Sequence, residues 1–165
     1  MIDVSMPRFF PVFAVLSTTT QFQEDQMNKK VLIGAGAVYV AMAILGFLIH
    51  DVMLGSTYRE ESMLHLWRTP EEMMMGVIFV SNLIVAFFLS VVFSKGYQGK
   101  GLSEGVRFGF YMGMIIATPM AYATYATMPI TYSLALQWFI YGIIEYLIYG
   151  IILALVFGMK GSSSQ

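Results

Sequence analysis

Glu145 sits midway along an apolar stretch, Ser133 to Met159, that holds no other Asp or Glu and no Lys, Arg or His. An ionised carboxylate at the centre of a bilayer costs about 2.5 kcal/mol or more on insertion scales. Relief comes from protonation, pairing or a wet cavity. No Lys or Arg falls at a similar depth in the other apolar stretches, so a neutral, hydrogen-bonded acid facing its neighbour helices is expected. Matching depths supplies its partners. Tyr39, Asn82 and Thr118 flank the centres of three other apolar stretches, and Tyr141 and Tyr149 lie one turn on either side of Glu145. A polar layer of this kind either fixes helix register through hydrogen bonds, lines a pocket for a small amphipathic ligand, or relays a proton.

A second group of chemically able residues lies at the end of the first apolar stretch and in the segment after it: His50, Asp51, His65, Trp67 and Arg68. With Glu60 and Glu61 nearby, metal ligation is the chemistry to test. Two His four apart on one helix face, or a comparable ligand spacing, is missing. A solvated interfacial cluster is the expectation, and no metal is assigned. No Ser or Thr stands in a nucleophile elbow. The glycines form no dinucleotide fingerprint or phosphate loop, and the absence of Cys removes thiolate catalysis and thiol metal sites. The sequence therefore assigns no catalytic residue and no cofactor, and disfavours an enzyme.

These residues are carried by very apolar elements. The chain has 165 residues, 58% hydrophobic and 12% charged, where soluble domains average about 25% charged. A hydrocarbon core about 30 Å thick needs roughly 20 apolar helical residues. Four windows meet that test: 31–49, 73–93, 106–128 and 133–159. The expectation is an all-α, integral membrane bundle of four transmembrane helices over residues 27–160, with a polar tail at 161–165. Residues 1–26 are expected to form an N-terminal extension, disordered or outside the bundle. Their apolar run from Phe9 to Leu16 is short and is interrupted by Pro11.

Between the first two windows, Thr57 to Glu60 and Thr69 to Glu72 both have capping-box spacing. Met63, Leu64 and Trp67 recur at helical intervals between them. This predicts a short interfacial helix over 58–68, with Trp67 at headgroup level. Pro119 is expected to free the carbonyl of Ile115 and kink the third span.

Basic residues mark the cytoplasmic side of short loops. Arg8, Lys29, Lys30, Lys95, Lys100, Arg107 and Lys160 fall on one side, whereas the 50–72 loop is acidic. Both termini are thus expected in the cytoplasm of a multi-pass protein of the plasma (inner) membrane. The net charge of −1 gives no attraction to nucleic acid. Gly105, Gly109 and Gly113, followed by Ala117 and Ala121, make a ladder of small residues at four-residue spacing. Gly142 and Gly150 contribute a second ladder. Small residues let helix backbones approach closely in lipid, which predicts a tight hairpin of spans three and four, or association into a homodimer or larger membrane complex.

The runs from Phe47 to Leu54, from Leu66 to Met73 and from Lys100 to Gly109 carry a likeness to known proteins. So do the Pro119-bearing stretch through Ile130 and the pair Ile144-Glu145 before Gly150. Over about residues 31–159 the chain resembles a family of small, largely uncharacterised bacterial four-helix integral membrane proteins. The resemblance implies the architecture and points to His50, Trp67, Arg68, Pro119 and Glu145, but implies no activity. The expected function is that of a structural or accessory membrane component, or a binder of an amphipathic ligand. The alternative is a proton-linked transporter or permeability element that uses Glu145 as an oligomer.

Overall fold

The computed structural model describes residues 10–159, with side chains from Glu24 onward. Among these, every regular element is helical. The first helix, α1 (Phe10–Gly46), runs on into a π-helical segment, Phe47–Met53. Two single-turn helices, α2 (Gly55–Tyr58) and α3 (Glu61–Leu64), and a 3-10 turn at Pro70–Glu72 follow. Three long helices complete the chain: α4 (Met75–Gly96), α5 (Leu102–Thr127) and α6 (Tyr132–Gly158). Three segments are long and apolar enough to cross a membrane: Glu24–Met53, Met75–Gly96 and Tyr132–Gly158. Helix α5 is as long as these, but Glu104, Arg107 and its Thr residues make it less apolar.

Helix α1 begins well before the expected first span. Pro11 lies in its first turn, where a missing amide removes no intrahelical bond. The backbone of 10–26 is therefore helical and continuous with the expected first span. Residues 1–9 and the polar tail at 161–165 lie outside the described residues.

The loop between α1 and α4 also differs from expectation. Instead of one helix over 58–68 there are two turns, broken where Glu60 adopts an extended conformation. Thr57 lies inside α2, so it cannot cap. Thr69 precedes only the 3-10 turn, with Pro70 in its first position, and its hydroxyl makes no capping bond. Met73 is extended before α4 starts at Met75. The side-chain cap that does form is at α6, where Thr131 Oγ1 accepts the Leu134 amide at 3.3 Å.

The long helices pack as a chain of neighbours: α5 lies along α6, α6 lies against α1, and α1 against α4. Helix α5 meets α4 where the Phe93 and Phe108 rings stand edge to face at 5.1 Å. The buried face of α5 is Gly105, Gly109, Gly113, Ala117 and Ala121. A Cβ on Gly105 would meet the Gly150 carbonyl and come within 2.6 Å of Ala154 Cβ. A Cβ on Gly142 would come within 2.7 Å of Ala117 Cβ. The small-residue ladders of α5 and α6 therefore meet each other within one chain.

Apolar side chains gather in two clusters. One, at the end that carries Lys30, Lys95 and Lys100, is built from residues such as Val38, Leu89, Phe93, Leu153 and Phe157. The other, at the end of the 50–72 loop, is built from Ile49, Leu54, Met63, Ile130, Leu134 and Ala135. These are called below the lysine end and the loop end. Two polar bonds tie the lysine end together. Ser90 Oγ, fully buried on α4, donates to the Val31 carbonyl at 2.8 Å, and Lys30 Nζ donates to the Phe157 carbonyl at 2.8 Å. The latter places a cation on the last turn of α6, where carbonyls lack intrahelical partners.

Candidate functional site

Glu145 lies on α6 between the two apolar clusters. Tyr141, one turn before it, packs on the loop-end cluster, and Tyr146 and Tyr149 belong with the lysine-end cluster. The carboxyl is half-buried. Its Oε1 accepts the Tyr149 hydroxyl at 3.1 Å, and among the described residues Tyr149 is its one hydrogen-bonding side chain. Tyr149, 4% exposed, is held in turn by the edge of the Tyr146 ring at 5.5 Å. A carboxyl group offers about four acceptor positions, so most of the capacity of this one is unused.

The structure does not gather the rest of the expected layer around Glu145. Helix α5 covers the glycine face of α6, so Thr118 is half-buried on another side of the pair. Helix α4 packs chiefly on α1, and Asn82 makes no hydrogen bond to Glu145 among the described residues. Tyr39 borders the lysine-end cluster, as Tyr146 does, and Tyr141 the loop-end one; among the described residues neither Tyr39 nor Tyr141 hydrogen-bonds to Glu145. Pro119 is exposed within α5, which continues through it. The bond that forms within the expected layer is the one from Tyr149 to Glu145, on the same helix.

At the loop end a different group of polar atoms meets. The π-helical turn, with its five-residue bond from the Leu54 amide to the Ile49 carbonyl at 2.8 Å, carries His50 toward Tyr58. Tyr58 Oη lies 2.8 Å from His50 Nδ1 and accepts Trp138 Nε1 at 2.7 Å. An indole nitrogen only donates. The Tyr58 proton is thus left for His50 Nδ1, and the arrangement that satisfies all three groups is a neutral imidazole protonated at Nε2. Trp67 packs edge-on against Tyr58 at 5.3 Å and Trp138 at 6.0 Å, and its indole nitrogen is buried without a partner. This aromatic plug ties the π-helical segment, α2 and α6 together. Asp51, His65 and Arg68 are exposed around it. Among the described residues no three His, Asp or Glu side chains are grouped to hold a metal.

Burial pushes the Tyr58 phenol up to about 12 from its ordinary 10.0, against the lowering effect of the Trp138 bond. Folding therefore favours the protonated phenol. Its contribution to stability is complete below pH 10 and is lost as the pH rises through about 12. Replacing Tyr58 with Phe should remove one phenol ionisation near pH 12 from an alkaline absorbance titration. It should also destabilise the chain by about 1–3 kcal/mol, because the indole and imidazole nitrogens lose their shared partner. Loss of a phenol that titrates near the ordinary 10.0 instead would show that Tyr58 is not held in this plug.

Sequence reasoning passed over Trp138 and Glu104. Glu104 is 5% exposed at the start of α5 and accepts the Gln98 amide at 2.6 Å and the Lys100 amide at 3.0 Å. A signal was present: Glu104 stands three residues after Gly101, the N-cap, where an acid reaches back to free amides. No such local signal marks Trp138, whose partner Tyr58 is 80 residues away.

In comparison with known proteins, the chain matches no protein-family model, no curated protein and no solved structure. The functional reading rests on the site itself.

Proposed function

We propose that the protein is a four-span accessory component of the plasma (inner) membrane, with both termini cytoplasmic, which works by binding an amphipathic ligand or partner helix at Glu145 and not by catalysis. Support for insertion comes from the apolar side chains that α4 leaves exposed, among them Val77, Phe79, Leu83, Ile84 and Phe88. A bilayer covers such a surface, and water does not. In this reading α5 also crosses the bilayer, as the third span in chain order. Its polar first two turns, with Glu104 and Arg107, lie at the lysine end and leave the stretch from Phe108 in the hydrocarbon.

The observation that carries the binding role is the half-open carboxyl between two apolar clusters, with a single partner from its own helix. Inside a membrane a polar group without enough partners favours association with whatever brings a donor. The alternative, proton-linked transport by an oligomer, has the Tyr149 to Glu145 contact in its favour.

Glu145→Gln and Glu145→Leu separate these readings. Gln keeps acceptor capacity without a titrating proton. It should leave stability within about 0.5 kcal/mol and retain the molecules that co-purify with the native chain in native mass spectrometry. Leu should cost about 1 kcal/mol and lose them. Identical retention by the Leu variant would sink the binding role. Loss of a pH-dependent flux in the Gln variant, with binding intact, would favour transport.

A further inference from the structure

At the lysine end, α1 and α4 enclose an open groove of about 290 Å³, close to the lower limit of about 300–1,000 Å³ for ligand pockets. Its walls are Val31 and Leu32 from α1 and Phe87 and Val91 from α4, and Asn28 and Lys95 stand at its polar end. We propose that an anionic phospholipid of the surrounding bilayer occupies this groove, with one acyl chain along the apolar walls and its phosphate on Lys95 and Asn28.

The charge arrangement decides the class of occupant. An acyl chain gains little by leaving lipid for an apolar groove, because the bilayer is equally apolar. Selectivity must come from the head group. Ser94 also lines the groove, but its hydroxyl donates to the Val91 carbonyl at 2.6 Å. Lys30 is engaged by the Phe157 carbonyl. Exposed Lys95 is the cation that lines the groove, and Asn28 beside it is an exposed amide donor. A basic residue next to a crevice between membrane helices is suited to an anionic lipid head group. Leu32 and Phe87 are 64% and 40% exposed, so the apolar wall is open for a chain to enter from the side. The inference rests on α1 and α4 being spans, and not on the role of Glu145.

The test uses the full chain in mild detergent, mixed with equal amounts of phosphatidylglycerol and phosphatidylcholine and read by native mass spectrometry. Wild type should retain phosphatidylglycerol in preference. Lys95→Gln should lower that retention about fivefold, the effect of one lysine near an anionic surface. Leu32→Trp, which fills the groove and leaves the lysine in place, should lower it as well. Lys100→Gln, at the same end outside the groove, should not. Equal retention of both lipids by wild type overturns the proposal, as does a Lys95 or Leu32 variant that behaves like the Lys100 control. Recovery of the wild-type chain in the soluble fraction after an alkaline membrane wash would instead overturn the membrane reading itself.

Discussion

Replacing Gly150 with leucine should detach α5 from α6 and lower stability by about 3 kcal/mol or more, while the same change at Gly36 should stay within about 0.5 kcal/mol. Both residues are glycines in long apolar helices, but only Gly150 belongs to a small-residue ladder. The difference is what a side chain would meet. A Cβ at Gly150 runs into the Gly105 carbonyl and stands 2.9 Å from the Gly109 amide nitrogen, whereas one at Gly36 meets nothing within 4 Å. Backbone cannot rotate aside as a flexible side chain can, so the helices must separate. The contact is reciprocal: a Cβ at Gly105 would strike the Gly150 carbonyl, and one at Gly109 would lie 2.8 Å from Leu147 Cα. Gly105→Leu should therefore match Gly150→Leu, and the double variant should cost much less than the sum, because both break one contact. Thermal unfolding in mild detergent, followed by circular dichroism, reads these values. Equal melting of the Gly150 and Gly36 variants would show that α5 and α6 are not in backbone contact.

The face of α5 that buries against α6 could be read from the sequence because its cause is local in period: small residues four apart lie on one side of a helix. Helix positions could be read for the same reason, since apolar length is a property of contiguous residues. Expected starts such as Met73 and Ser133 fall close to the observed Met75 and Tyr132. The convergence of polar side chains could not. Equal depth placed Asn82, Thr118 and Tyr39 beside Glu145, but depth says nothing of rotation or of which helix is whose neighbour. With α5 on the glycine face of α6 and α4 chiefly on α1, neither Thr118 nor Asn82 hydrogen-bonds to that one carboxyl among the described residues. The loop failed for a related reason. Capping spacing at Thr57 and Thr69 is a local signal, and it was overridden where the π-helical turn and the packing of Leu54, Met63 and Trp67 beneath the loop fixed the backbone. His50 was legible as a candidate, but its partnership with Tyr58 and Trp138 depends on that turn and on a contact across 80 residues.

Glu104 is the acid whose removal should be felt most. It is far more buried than Glu145 and serves as an acceptor for two backbone amides in the turn between α4 and α5. That turn needs glycine at 99 and 101, where φ is +75° and +74°, a conformation that other residues rarely adopt. These angles aim the Gln98 and Lys100 amides inward, one to each carboxylate oxygen. Charge-assisted bonds of this kind contribute about 1.5–3 kcal/mol, and loss of the acceptor leaves both amides unmatched. Glu104→Ala should therefore destabilise the chain by about that amount or somewhat more. Glu104→Gln should cost about half as much, since its amide oxygen still accepts one bond while its NH2 group faces the second N–H as a donor against a donor. Hydrogen exchange supplies a local readout: the amides of Gln98 and Lys100 should exchange faster in both variants, with one of the two less affected in Gln. Unchanged exchange at both positions in the Ala variant would mean that the carboxylate does not hold the turn. The consequence reaches beyond the loop, because this turn sets the start of α5 relative to α4, where Phe93 and Phe108 meet. It also fixes the entry of α5 onto the glycine face of α6, so Glu104 acts upstream of the same packing that Gly150 makes sterically possible.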